Sequence, residues 1–127
     1  MRKLLRSFVP SLACVVLLAG QTARGTDRLR MRVFPAVQRA PAALTVQITI
    51  TASDDNRLLR VVAESPNFYR ASEITIDGQN AAPLNVFRFR DLPTGLYEIT
   101  GVLIDAHGQQ STAALFARVE PEVGRSR

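Results

Sequence analysis

Hydrophobic and polar residues take turns along much of this chain. From Arg28 to Phe34, Leu29, Met31 and Val33 occupy every second position, with Arg28, Arg30 and Arg32 between them. A period of two sends one set toward a core and the other toward water, so the segment predicts a half-buried strand. Residues 44–51 (LTVQITIT) repeat the pattern, with Leu44, Val46, Ile48 and Ile50 set against Thr45, Gln47, Thr49 and Thr51. Pro35 and Pro41 bracket the connection, where a missing N–H does not damage a hydrogen-bond ladder. Ser53-Asp54-Asp55-Asn56 reads as a polar turn, and residues 57–64 (RLLRVVAE) as a third strand with Leu59, Val61 and Ala63 on one face. A helical stripe of Leu58, Leu59, Val61 and Val62 competes there, but the stretch before Pro66 is short for a helix and contains two valines, whose branched side chains favour a strand.

Four more strands follow. Residues 72–77 (SEITID) run into the Asp77-Gly78 turn signal; Phe87, Phe89 and Leu92 mark a fifth strand, residues 97–105 a sixth and residues 111–119 a seventh. Short strands at roughly ten-residue spacing, separated by Gly, Pro, Asp and Asn, predict an all-β domain: a seven-stranded antiparallel Greek-key β-sandwich over residues 26–120. Residues 121–127 read as a frayed tail. A barrel is the alternative architecture.

The segment LPTGLYEITGVLIDAHGQQS, residues 92–111, bears on that choice. A chain crossing from one sheet to the other needs a core plug, a bend and a latch. Leu92 supplies the plug, Pro93 and Gly95 restricted and permissive backbone, and Tyr97 a buried ring whose hydroxyl bonds a nearby backbone group. This is the pattern of a tyrosine corner, built on Leu92, Gly95 and Tyr97. With Asp105 and Gly108 closing the next strand, the stretch resembles the second half of fibronectin type III domains and of bacterial immunoglobulin-like domains. ESPNFYRASEITIDG, residues 64–78, resembles stretches of uncharacterised exported bacterial proteins. The resemblance implies an immunoglobulin-like sandwich from an exported family without a known activity.

The first 25 residues are of another kind. Arg2, Lys3 and Arg6 precede an apolar run from Phe8 to Gly20, followed by a short polar segment. That layout predicts a signal peptide cleaved before Thr26, with Gly20 and Ala23 as other last residues, and so an exported protein, periplasmic or extracellular. The run is short for a membrane span. Cys14, the single cysteine, lies inside the run, and Ser11 stands where a lipidation signal wants an aliphatic residue; lipidation and an uncleaved anchor are the alternatives, and either would tie the protein to a membrane. Beyond the leader no cysteine is left for a disulfide. The formal charge of +5 also shrinks there, because the leader carries four basic residues and no acid, which leaves twelve basic residues against eleven acids. The high pI therefore gives no support for a nucleic-acid partner. Arg28, Arg30, Arg32, Arg88 and Arg90 are expected to point outward, serving solubility and protecting strand edges.

Catalytic chemistry finds no pattern. His107, the lone histidine, sits in an Asp-x-x-Gly turn without a nucleophile or acid at recognisable spacing, and the chain is expected not to be an enzyme. Asp54, Asp55, Asn56 and Asp105 are the residues from which loops would assemble a calcium site, but without regular ligand spacing they read as ordinary turn formers, so neither metal nor cofactor is expected. The candidate binding patch is a loop carrying Glu64, Asn67, Phe68, Tyr69 and Arg70, since aromatic and arginine side chains make large directional contacts, though one of the aromatics could instead fold back over the sandwich end. Val102 and Ile104, apolar on the outward face of the sixth strand, are a second contact candidate. The function expected from these features is a non-catalytic exported module of the bacterial cell envelope, making protein or structural contacts with an envelope or extracellular protein. Carbohydrate binding is the alternative, weakened by the lack of tryptophan.

Overall fold

A computed structural model describes residues 21–25 and 28–122. The apolar run and Cys14 lie outside the described residues, as do residues 123–127 of the expected tail. Two sheets pack face to face. The first holds β1 (Gln21–Gly25), β2 (Leu29–Phe34), β4 (Ala42–Ile50) and β7 (Leu84–Leu92), in that spatial order and all antiparallel. The second runs β3 (Val37–Arg39), β9 (Gln110–Glu120), β8 (Gly95–Asp105), β5 (Asn56–Ser65) and β6 (Phe68–Thr75). The all-β sandwich is thus as expected, and residues 57–64 are strand.

Three details differ from the expectation. The described residues form nine strands instead of seven. β3 lies inside the Pro35–Pro41 connection, and its three residues are too few to show alternation. It pairs parallel to β9, Val37 against Arg118, so the second sheet is mixed and not purely antiparallel. β1 falls within the last residues assigned to the leader and pairs with β2, Gly25 against Leu29. Cleavage before Thr26 would remove this strand and leave β2 as the sheet edge.

Alternation sets the register. Leu29, Met31 and Val33 lie opposite Ile50, Ile48 and Val46, so the apolar sets of β2 and β4 share one face. They bury against Leu59, Val61, Tyr97, Ile99 and Leu103 of the second sheet. Gly101 fills the inward position between Ile99 and Leu103. A Cβ there would sit 3.1 Å from Ile48 Cδ1 and 3.2 Å from Met31 Sδ. Those two long side chains use the space that glycine leaves, as facing large and small residues do in a close-packed core. Gly101→Val is expected to cost about 1–3 kcal/mol by overpacking, seen as a lower urea midpoint with an unchanged slope.

Candidate functional site

Chemistry-bearing side chains gather in four places. At one end of the sandwich the turn before β5 meets the turn after β8, and the Ala106 N–H donates to the Asp55 carbonyl at 2.7 Å. The loops named as possible calcium ligands do therefore touch. The oxygens of Asp105 and Asn56 are already engaged: Asp105 Oδ1 accepts from the N–H groups of His107 and Gln109 at 2.8 and 2.9 Å, its Oδ2 lies 3.6 Å from Arg28, and Asn56 Oδ1 accepts from the Arg28 guanidinium at 3.3 Å. His107 is exposed, 3.9 Å from Asp55. Among the described residues no group of three or more His, Cys, Asp or Glu side chains is placed to hold a metal ion.

Burial alone would raise the Asp105 pKa. The N–H groups of Gln109 and His107, with the charges of His107 and Arg28, outweigh it and hold the carboxyl below the ordinary value. A lowered folded pKa contributes stability that is present above the unfolded value and lost as pH falls through the folded one. Thermal stability should therefore drop on acidification below the ordinary Asp range. Asp105→Asn should lower the melting temperature at pH 7 and flatten that acid limb.

At the opposite end stands the tyrosine corner. Tyr97 is fully buried and its hydroxyl donates to the Pro93 carbonyl at 2.7 Å. Leu92 is buried in the same core cluster. Gly95 does not supply permissive backbone, since its φ is not positive. The left-handed residue of the bend is Asp91, at φ 58°, inserted between the inward Phe89 and Leu92; aspartate is among the few residues that tolerate this conformation. Gly95 instead gives room, because a Cβ there would lie 3.3 Å from the Ser65 side chain.

The expected loop of Glu64, Asn67, Phe68, Tyr69 and Arg70 is a tight hairpin. Only Pro66 and Asn67 form the turn, and Ser65 already pairs with Phe68. Pro66 fixes the negative φ that suits the first central residue of a turn, Asn67 has no positive φ either, and strand pairing resumes at once. The residues consequently separate by strand phase. Phe68 turns inward, half-buried, its ring edge-on to Tyr97 with centroids 5.8 Å apart. Arg70 lies over Phe68 and donates to the Arg90 carbonyl at 2.8 Å. Tyr69 and Glu64 are cross-strand partners, both exposed, and Glu64 is also paired with Glu98. The five residues thus do not form one patch. On the same outer face Val102 lies between Arg60 and Thr112 and is only 9% exposed, so little of it is left for a partner, while Ile104 is half-buried.

The two outer sheet faces differ in charge, which sequence reasoning missed. On the first sheet Arg30 and Arg32 of β2 and Arg88 and Arg90 of β7 flank the Thr45, Gln47 and Thr49 positions of β4. All four arginines are exposed, and none has an ion pair among the described residues. The one acid within β2, β4 and β7 is Asp91, at the left-handed bend that ends β7 and thus at the margin of the face. Apolar side chains are interleaved: Phe34 lies under Arg32 at 5.4 Å, and Leu84 and Val86 are about half exposed. Glu64, Glu73 and Glu98 project from the second sheet. Val37, Leu96 and Phe116, each a little over half exposed, also lie there, around Arg118.

No family model and no curated protein matches the chain. Solved structures do. A superoxide reductase (neelaredoxin) from Ignicoccus hospitalis superposes with a TM-score of 0.59 over 78% of this chain and 83% of that one, at 11% identity. A point variant of the same reductase gives 0.54 over 72% and 79%, at 10% identity. Kinship with fibronectin type III or bacterial immunoglobulin-like domains is thereby corrected. The Leu-x-x-Gly-x-Tyr pattern marks a bend that any chain crossing between sheets can use, and so carries geometry and not ancestry. With that kinship fall the readings that rested on it, the non-catalytic envelope module, its carbohydrate-binding alternative and the expectation of no enzyme, because the solved structures sharing this fold are enzymes by name. At such identity the likeness extends to the fold alone: the chain is similar in architecture to the superoxide reductase sandwich.

Proposed function

We propose that this is an exported protein that docks on anionic lipid surfaces through the outer face of its first sheet. The observation that carries the reading is a face with four exposed, unpaired arginines and an acid only at its margin. A protein near neutrality after loss of its leader concentrates positive charge on this sheet: β2, β4 and β7 carry four arginines and one acid, whereas the strands of the second sheet carry five arginines and five acids. Charge distributed so unevenly between two faces orients a molecule in the field of a charged surface. Phe34, Leu84 and Val86 among the arginines favour lipid over a purely ionic polyanion, since an interface rewards charge and apolar area together. A Greek-key sandwich latched by Tyr97 suits this use, because it leaves both outer faces to the surroundings. Co-sedimentation with phosphatidylglycerol and with phosphatidylcholine vesicles tests it. Binding to the first that fades at high salt is expected; equal binding to both would defeat it.

The structural neighbours suggest a second reading, reduction of superoxide. That reaction takes up one electron, which a protein supplies through a redox-active metal or cofactor. The residues here do not fit a redox metal: the described residues contain one histidine, exposed in a turn, and no cysteine, the single Cys14 lying in the leader. No step of that reaction is assigned to this chain.

A further inference from the structure

The second sheet carries a site of different character. β3, β9 and β8 lie side by side, with Val37 registered against Arg118 and Arg118 against Leu96. A basic residue thus stands between two aliphatic ones in a row across three strands. Phe116, on the same side of β9, closes the row from one direction, and Ala36 and Ala117 complete the lining of an open cleft of about 210 Å³. Three large side chains here are exposed by more than half, whereas most other large apolar residues among the described ones are buried. Such a cluster marks a contact site.

Arg118 decides what kind. Its N–H is used, donating to the Ala36 carbonyl at 2.8 Å. Its guanidinium has neither a hydrogen bond nor an ion pair among the described residues, although Glu98 and Glu120 occupy the same sheet face. Arg118 is exposed, and a free guanidinium matches the two oxygens of a carboxylate. The cleft is smaller than the roughly 300–1,000 Å³ of ordinary ligand pockets, so it has room to cover only a short alkyl chain. We infer that this cleft binds a short-chain aliphatic carboxylate, the acid group on Arg118 and the alkyl chain against Leu96, Val37 and Phe116. The inference is independent of the lipid-docking face, which lies on the other sheet.

Octanoate is the probe, with octanol as its uncharged counterpart, titrated into the full chain while backbone amide shifts are followed by NMR. A ligand of this size, held by one charge pair and a partly open wall, is expected to bind with Kd on the order of a millimolar. Shifts should cluster at Val37, Leu96, Phe116 and Arg118, and octanol should bind at least tenfold more weakly. Arg118→Gln should weaken octanoate by about tenfold or more. Leu96→Glu, which offers Arg118 a carboxylate of its own, should abolish binding while amides across the core keep their positions. Equal affinity for octanoate and octanol, shifts scattered away from the cleft, or undiminished binding by R118Q would each overturn the inference. So would cleft shifts that change on simple dilution without octanoate, because they would make this surface an interface between two copies.

Discussion

Replacing Tyr97 with alanine is expected to remove about 3–5 kcal/mol of stability, a large fraction of the 5–15 kcal/mol typical of a domain. The ring is wholly enclosed between the sheets, so its removal leaves a cavity beside Phe68 and Ser65, where β5 ends and β6 begins. The edge contact with Phe68 disappears too, and with it the packing that holds Arg70 over the Phe68 ring. Tyr97→Phe keeps the ring and loses the hydroxyl's bonds to the Pro93 carbonyl and to Ser65, which should cost about 1–2 kcal/mol. The spread between the two variants separates packing from latch. A pH signature accompanies them. Burial raises the Tyr97 pKa against the lowering pull of Ser65 and Arg70. A raised folded pKa contributes stability that is full below the unfolded value and lost as pH climbs through the folded one, so the wild type should weaken above about pH 10 and Y97F should weaken less. Urea denaturation of the three proteins at pH 7 and pH 10.5 checks both points.

The second large effect concerns the arginine face. Each basic residue near an anionic leaflet contributes about 1 kcal/mol, so replacing Arg30, Arg32, Arg88 and Arg90 together by glutamine should weaken binding to phosphatidylglycerol vesicles by on the order of a thousandfold. R32Q/R88Q alone should weaken it by about thirtyfold. R39Q/R57Q removes as much charge from the other sheet, and it should change binding by much less. Raising salt toward 1 M, where the Debye length falls to about 3 Å, should erase most of the difference between wild type and variants. An equal loss in the two double variants would mean that net charge, and not the face, governs attachment.

The sequence made β2 and β4 legible because their alternation is unbroken, and the inward set of each matches the observed core. The bend at residues 92–97 was legible through Tyr97, but its mechanics were not. The left-handed residue is Asp91 and Gly95 serves clearance, a distinction that depends on how closely Ser65 approaches. β3 stayed hidden because a three-residue strand between two prolines has no period to detect. Pro66 obscures the start of β6, suggesting a loop where there is only a two-residue turn; the sequence leaves open which of Phe68 and Tyr69 folds back, and strand pairing turns Phe68 inward and leaves Tyr69 exposed. The arginine face was half legible. Alternation alone puts Arg30 with Arg32 and Arg88 with Arg90, but only the topology, with β4 between β2 and β7, brings the two pairs onto one surface. Summing charge along the chain hides such an arrangement, because it averages the arginines of this face with acids elsewhere, Asp54, Asp55 and Asp77 among them.

The chain contains no tryptophan, which permits a direct measurement of orientation. Gln47→Trp places an indole at the centre of the arginine face, and Ala114→Trp places one on the outer face of the second sheet. With vesicles containing brominated phosphatidylglycerol, the fluorescence of Q47W should be strongly quenched and that of A114W left nearly unchanged. Equal quenching of the two, or stronger quenching of A114W, would contradict the assignment of the first sheet as the lipid-facing side.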